Sequence, residues 1–279
     1  LCHRPFDCRR CRTSSQATLM RLQTPRIQRP YFRNGADHRA GADVSFADIV
    51  KLFNFRAIKI GRWVNAAETQ LAANLFFDAF CDLQTLLQVP TQVISLQGQL
   101  SLTFGSGGQR GVCAFYQPQG RILALAKNAG GGSLAHEWFH AFDHYIASKM
   151  FQGASSTAFA SQLWLHHAPQ QRHPLNQQLD QFFQAAFLSA NGKQPSALFR
   201  RSSAADGALG RLYYSLPPEL AARAFEQVLM HQALKNHFLV SGLDDASAVT
   251  VYPQPSELDA LSSPLFRYFY WLGKALSKV

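Results

Sequence analysis

Two histidines and a glutamate within five residues are the strongest chemical signal in this sequence. His136 and His140 lie four residues apart, so on a helix both imidazoles project from one face and can reach a single metal ion. Glu137 follows the first histidine, which places its carboxylate beside the same ion, where it can accept a proton from water. The alternative is a surface helix on which the two histidines have no joint role. The spacing is that of the HExxH motif, which predicts a zinc site with a general base.

The composition indicates a globular protein without a membrane-spanning segment. The chain has 279 residues, of which 47% are apolar, enough to bury the core of one large domain or two small ones. No run of about eighteen apolar residues occurs, and the first residues lack the charged and then apolar pattern of a secretion signal. We therefore expect a cytoplasmic protein.

Positive charge is concentrated near the N-terminus. The net charge is +10, and residues 1–39 contribute much of it through their arginines. Such a tail can bind nucleic acid or anionic lipid, but a solvated, disordered segment without a partner fits its composition better. Residues 1–19 differ from the rest in composition and Met20 reads as a natural start, so we expect them to lie upstream of the native product. Residues 40–279 are interpreted as a single domain.

The middle of the chain predicts a helix and a small sheet. Asn65 and Glu68 form a capping box at the start of a helix that runs to about Gln88, with apolar positions at helical spacing. Short apolar or alternating runs between Gly- and Pro-containing turns predict strands at 55–60, 92–96, 100–104, 112–116 and 121–126. We expect the last of these strands to lie at the sheet edge, where an extended peptide could pair with it.

The C-terminal half is predicted to be mostly helical. Helical patterns cover residues 158–166, 175–189, 219–236 and 256–277, whereas residues 191–210 have the composition of a loop. The polar, Gln-rich stretch from about 150 to 210 is interpreted as a helical insertion. The predicted fold class is therefore α+β, with a small mixed sheet next to the helix that carries His136 and His140.

The metal site needs a third ligand, because a catalytic zinc ion usually has three protein ligands and one open position. His144 lies eight residues after His136, about 12 Å along a helix, and is too far to join the same ion. The longer motif HExxHxxGxxH is excluded, since it needs glycine and histidine where this chain has Asp143 and Ile146.

A glutamate from a later helix remains, and the candidates are Glu219, Glu226 and Glu257. Glu219 lies in the first turn of its helix, shortly after two tyrosines. A glutamate at such a position also offsets the helix dipole, and Arg223 four residues later offers it an ion pair. Glu226 shares the helix face of Glu219 and stays an alternative ligand.

Two segments of the chain resemble known families. Residues 132–145 read GSLAHEWFHAFDHY, and residues 213–226 read YYSLPPELAARAFE. Together they resemble the zincin-like metallopeptidase families described as CLCA_X and large polyvalent protein-associated domain, which occur in bacteria and on phages and mobile elements. This resemblance covers the chain from about residue 35 to its end. The two motifs alone are also similar to the catalytic domain of anthrax lethal factor, in which a catalytic tyrosine precedes a ligand glutamate.

The resemblance implies a gluzincin-type zincin fold with one Zn²⁺ ion held by His136, His140 and Glu219. It also implies that Glu137 is the general base and that Tyr213 or Tyr214 stabilises the oxyanion. The tyrosine-to-glutamate spacing differs from that of lethal factor, so the choice between the two tyrosines stays open.

Asp143 lies one turn after His140, and two roles are open to it. Its carboxylate either accepts a hydrogen bond from a ligand histidine, which would fix the tautomer, or is exposed on the helix surface.

The expected function is that of a zinc metallopeptidase acting on a peptide or protein substrate. The alternative is a non-catalytic or latent zincin-like interaction module associated with mobile elements. Nucleic-acid binding depends on the arginine-rich tail alone, and the sequence predicts no substrate-binding residues.

Overall fold

The computed structural model describes residues 26–106, 114–127, 131–243 and 250–277. After a short 3-10 turn at Arg26–Gln28, the elements in chain order are α1 (Phe46–Phe53), β1 (Ala57–Ile60), α2 (Ala66–Leu87), α3 (Thr91–Ile94), β2 (Ser101–Phe104), β3 (Ala114–Gln117), β4 (Ile122–Leu125), α4 (Leu134–Met150), α5 (Ala160–Leu165), α6 (Pro174–Phe187), α7 (Ala197–Leu209), α8 (Pro217–Met230) and α9 (Pro255–Leu276). The predicted α+β class with a small sheet and a helical C-terminal half is confirmed.

The four strands form one mixed sheet in the order β1-β2-β4-β3. β1 pairs with β2 and β2 with β4 in parallel, whereas β3 pairs with β4 in the antiparallel direction. The expectation that residues 121–126 form the sheet edge is therefore wrong. β4 lies between two neighbours because the chain from β3 turns back and β4 then inserts beside β2, which leaves β3 as the edge strand next to α4.

The predicted strand at 92–96 is also wrong. These residues form the one-turn helix α3 and a following turn in which Leu96 and Gln97 have positive φ angles. Val93, Ile94 and Leu96 are buried, so the apolar run reflects a buried turn rather than a strand. The capping box of α2 is confirmed, since Asn65 Oδ1 accepts from Glu68 N at 2.9 Å and Glu68 Oε2 accepts from Asn65 N at 3.0 Å.

The predicted loop at 191–210 contains a helix, α7. Ser196 caps its start by accepting a hydrogen bond from Phe199 N, and Gly210 ends it in the left-handed conformation with φ 65°. Its buried positions recur every four residues, at Leu198, Ser202 and Asp206. Hydrophobic periodicity does not reveal this helix, because only Leu198 among these three buried residues is apolar.

Helices between residues 150 and 210 share the core of the rest of the chain. The side chains of Phe182, Phe183 and Phe187 on α6 are fully buried, and α6 packs along α9. Cys81 on α2 is a buried free thiol. No helix in the described ranges is both long and apolar enough to cross a membrane.

The described part of the basic N-terminal segment contacts the body. Arg33 and His38 both reach the fully buried carboxylate of Asp82 on α2, with Nε–Oδ2 and Nε2–Oδ1 distances of 2.5 and 2.9 Å. The hydroxyl of Tyr31 accepts a hydrogen bond from Gly131 N, at the start of the loop that leads to α4. Residues 1–25 lie outside the described part of the chain.

Helix α4 is held against α8 by aromatic side chains. The ring of Phe225 on α8 stacks on Trp138 and Phe139 of α4, with centroid distances of 5.7 and 4.8 Å. Nearly every residue from Leu134 to Asp143 is buried, because the sheet and α5 cover the other sides of α4. This packing fixes the distance between the two helices on which the candidate ligands lie.

We predict that Phe139→Ala lowers the free energy of unfolding by about 3–5 kcal/mol, because it removes a fully buried ring from this contact. Urea unfolding followed by circular dichroism measures the change. Phe32→Ala is the control, since that ring is 56% exposed. Equal effects of the two substitutions would contradict the assigned core.

Candidate metal centre

The two histidines of the HExxH motif face each other on α4. Their Nε2 atoms are 3.1 Å apart, and the side chains are buried, with 5% and 8% exposure. A spacing of four residues on a helix produces this arrangement, as the sequence predicted. Both Nε2 atoms lie near the same residue of the neighbouring helix α8.

That residue is Glu219, in the first turn of α8. Pro217 and Pro218 form the start of the helix. Proline is well tolerated there, because the first N–H groups of a helix have no partner within it. One oxygen of Glu219 lies 3.4 Å from His136 Nε2, and the other lies 3.4 Å from His140 Nε2. The structure therefore brings together the three residues that the resemblance implied.

The dimensions of this cluster fit a zinc ion. An ion about 2.1 Å from each of its ligand atoms at tetrahedral angles holds those atoms roughly 3.4 Å apart. The Nε2 atoms of His136 and His140 are 3.1 Å apart, and each lies 3.4 Å from a different oxygen of Glu219. With one ligand atom taken from each residue, all three atoms lie within 4.8 Å of one another. Two imidazoles and a carboxylate are also the donor set typical of catalytic zinc sites. Within the described ranges, this is the single group of His, Cys, Asp and Glu side chains with metal-site geometry.

The start of α4 is fixed by the chain that follows α8. Ala135 N donates to Leu239 O at 3.0 Å, and Gly132 N donates to Phe238 O at 2.8 Å. A Cβ atom at Gly131 would lie 2.5 Å from the Cα of Phe238, so this close approach requires glycine. Ser133 occupies the N-cap position, but its side chain makes no capping hydrogen bond.

Glu226 contacts the other nitrogen of a candidate ligand. Its Oε2 lies 3.2 Å from His136 Nδ1 and accepts a hydrogen bond from the hydroxyl of Tyr252 at 2.9 Å. A carboxylate in this position fixes the tautomer of the imidazole, so that Nε2 is available to a metal. From the sequence, Glu226 is an alternative ligand and not a partner of His136 Nδ1. Its position seven residues after Glu219, on the same helix face, was the available signal.

Asp143 does not make the hydrogen bond considered for it. Its carboxylate accepts from Ser161 N at 2.8 Å and from Ser161 Oγ at 2.5 Å, which satisfies an amide in the first turn of α5. It is fully buried, and burial raises the pKa of Asp143 to about 6. Among the described residues, His140 Nδ1 has no hydrogen-bond partner. Asp143 thus attaches α5 to α4 rather than orienting a histidine.

The carboxylates make the centre favourable for positive charge. Burial lowers the pKa of His136, but hydrogen bonds to Glu219 and Glu226 outweigh this and raise it to about 10. Glu137, which is 5% exposed, has its pKa raised by burial. The two other carboxylates therefore favour a cation at the imidazoles, whether a proton or a metal ion.

The two tyrosines before α8 have different surroundings. Burial raises the pKa of Tyr213 well above its ordinary value, and the negative charge of Glu219 adds to this effect. The ring of Tyr214 instead packs against the guanidinium of Arg223, which is 5.2 Å from the ring centroid. Of the two candidates, Tyr213 is the one whose hydroxyl lies by the carboxylates of the centre.

Three further residues considered from the sequence have partners elsewhere. Arg223 makes no ion pair with Glu219 within the described chain and donates instead to the carbonyls of Tyr214 and Val251. Glu257 pairs with Arg201 at 2.6 Å. His144 Nδ1 lies 2.6 Å from the hydroxyl of Tyr116 on β3, which excludes it from the ligand group.

One family model matches part of the chain. Residues 205–276 match large polyvalent protein-associated domain 1, which supports the resemblance to that family. The matched segment contains Tyr213, Glu219 and Glu226, whereas His136 and His140 precede it. Neither the curated proteins nor the solved structures include a match to this chain.

We predict that His140→Ala and Glu219→Ala each abolish stable zinc binding, because two protein ligands do not hold the ion tightly. Metal content after dialysis against free zinc is measured by atomic absorption. The wild type should retain about one equivalent. His144→Gln is the control, as it replaces a histidine on the same helix outside the cluster. Retention of zinc by Glu219→Ala would contradict the ligand set.

We predict that Glu226→Gln keeps the zinc ion but lowers its affinity by about 10- to 100-fold, because the amide no longer holds His136 as a charged acceptor does. Competition with a zinc-selective chelator dye measures the affinity. Unchanged affinity would exclude an orienting role for Glu226, and complete loss of zinc with a folded protein would indicate that Glu226 is itself a ligand.

Proposed function

We propose that the protein is a zinc-dependent metallopeptidase with a zincin-like, gluzincin-type fold. The observation that carries this proposal is the cluster of His136, His140 and Glu219, whose ligand atoms, one from each residue, lie within 4.8 Å of one another. The match to large polyvalent protein-associated domain 1 over residues 205–276 is consistent with the proposal, since the resemblance to that family first suggested it.

In this proposal Glu137 is the general base. A zinc ion held by the three ligands would polarise the substrate carbonyl and lower the pKa of a water molecule to near neutrality. Glu137 follows His136 in sequence and is buried beside it, so its carboxylate is positioned to take the proton of the attacking water. The same group then delivers the proton to the leaving amine.

Tyr213 supplies a hydrogen bond to the oxyanion. Burial and the nearby negative charges of Glu219 and Glu137 raise the pKa of its hydroxyl, so the hydroxyl keeps its proton and can donate a hydrogen bond. A fixed donor in a buried site stabilises developing negative charge more than water does. Tyr214, whose ring packs against Arg223, has a structural role in this proposal.

The substrate is an extended peptide or protein segment. β3 is an open sheet edge that contacts α4, and the hydrogen bond between Tyr116 and His144 holds this edge beside the metal helix. A peptide can add to such an edge through main-chain hydrogen bonds. The edge available for this pairing is therefore β3 and not β4.

A latent or non-catalytic zincin-like module is the second candidate. The burial of His136, Glu137 and His140 favours it, because a bulky substrate needs access to these side chains. The intact Glu137 favours the enzyme, since a purely structural metal site has no use for a base. Digestion of casein with and without a chelator separates the two candidates.

We predict that Glu137→Gln keeps the zinc ion and lowers the rate of peptide hydrolysis by about 10²- to 10⁴-fold, because the amide cannot accept the proton. A quenched fluorescent peptide library measures the rate, and atomic absorption measures the metal. Glu257→Gln, which removes a carboxylate paired with Arg201 outside the centre, should hydrolyse peptides at the wild-type rate.

Two results would contradict the proposed function. Zinc-loaded wild-type protein that hydrolyses no peptide would favour the non-catalytic module. Hydrolysis that is equally fast in Glu137→Gln and the wild type would mean that another residue takes the proton.

A further inference from the structure

A single carboxylate holds the backbone from which Tyr213 extends. Asp206, near the end of α7, is 3% exposed and accepts hydrogen bonds from three consecutive amides and one hydroxyl. Its Oδ1 accepts from the N–H groups of Tyr213 and Tyr214 at 3.1 and 2.7 Å. Its Oδ2 accepts from the N–H and hydroxyl of Ser215 at 2.8 and 2.6 Å. Four donors on one buried carboxylate are more than a typical helix cap requires.

The segment needs such a support, because it belongs to no regular element. Residues 211–216 form neither helix nor strand, so the hydrogen bonds of a helix or sheet do not fix their conformation. The donors also stabilise the charged carboxylate. Burial raises the pKa of Asp206, but the hydrogen bonds from Ser215, Tyr214 and Tyr213 outweigh it and lower the pKa below its ordinary value.

Arg223 binds a carbonyl of the same segment, residues 211–216. Its guanidinium is 3% exposed and donates to the carbonyl of Tyr214, while a second donor reaches the carbonyl of Val251. Asp206 thus binds the amides of the segment, and Arg223 binds a carbonyl in it. Both contacts fix the backbone and leave the Tyr213 side chain to extend towards Glu219.

We propose that Asp206 is a positioning residue that fixes the 213–215 backbone and thereby aims the Tyr213 hydroxyl at the reacting carbonyl. The proposal rests on the proposed peptidase function. Asp206 touches neither substrate nor metal in this role and acts through Tyr213. A small displacement of a catalytic group lowers the rate of the chemical step strongly. We therefore expect the loss of Asp206 to lower kcat.

The test uses Asp206→Asn in the full chain. The amide keeps the shape of the carboxylate but turns one acceptor oxygen into a donor that faces another N–H. We expect kcat to fall by about 10- to 100-fold, with KM and zinc content changed less than about twofold. Hydrogen–deuterium exchange of the peptide spanning residues 213–215 should accelerate, while that of α4 stays unchanged. Asp180→Asn is the control, because Asp180 accepts from Trp164 and Gln170 instead.

A double-mutant comparison separates positioning from general destabilisation. In a Tyr213→Phe background, Asp206→Asn should cause no further loss of kcat beyond about twofold, because the hydroxyl it positions is already absent. An equal further loss would mean that Asp206 acts through something other than Tyr213 and would overturn the proposal. Wild-type kcat and exchange in Asp206→Asn would also overturn it.

Ser215→Ala serves if Asp206→Asn does not fold. It removes one of the four donors, so we expect a smaller fall in kcat that again disappears in the Tyr213→Phe background. A fall that persists there overturns the proposal.

Failure of the proposed function is recognised separately. In that case zinc-loaded wild type shows no chelator-sensitive hydrolysis, and the role of Tyr213 falls with it. Failure of the Asp206 proposal alone leaves a wild-type activity that Tyr213→Phe lowers and the Asp206 and Ser215 variants do not.

Discussion

The packing of α4 against α8 is the constraint on which the candidate centre depends. The HExxH spacing places two imidazoles on one helix, but nothing local to that helix supplies a third ligand. The stack of Phe225 on Trp138 and Phe139 sets the separation of the two helices. Glu219 precedes Phe225 on α8 and Glu226 follows it. The same packing contact therefore brings the Glu219 carboxylate to His136 Nε2 and the Glu226 carboxylate to His136 Nδ1. A cavity at this contact would disturb both at once.

The candidate centre contains more negative side chains than positive ones. The carboxylates of Glu137, Glu219 and Glu226 lie next to His136. Carboxylates removed from water are unfavourable without a compensating positive charge. Arg223 is buried on α8, but its guanidinium donates to backbone carbonyls and forms no ion pair among the described residues. The excess of carboxylates over cations around His136 is what a divalent ion would offset. The balance of charge therefore supports the same proposed site as the motif does.

The sequence predicted what depends on short range and missed what depends on packing. The imidazole pair follows from helical spacing, and the start of α2 follows from its capping box. The order of the strands was missed, because β4 pairs with β2, from which β3 separates it in the chain, as well as with its direct predecessor β3. The role of Asp143 was missed for the same reason: its partner Ser161 lies on another helix. Glu226 was on the right face, but only the helix crossing shows which histidine nitrogen it reaches.

The family match has a boundary that divides the centre. Residues 205–276 include Glu219, the proposed third ligand, and Asp206, Tyr213 and Glu226, to which we assign supporting roles in the proposed site. The two imidazoles and Glu137 belong to α4, outside the matched segment. Phe225 would lose its stacking partners without α4, and the start of α4 is in turn fixed by the carbonyls of Phe238 and Leu239 within the matched segment. The matched segment and α4 therefore stabilise each other, and the proposed metal site needs residues from both.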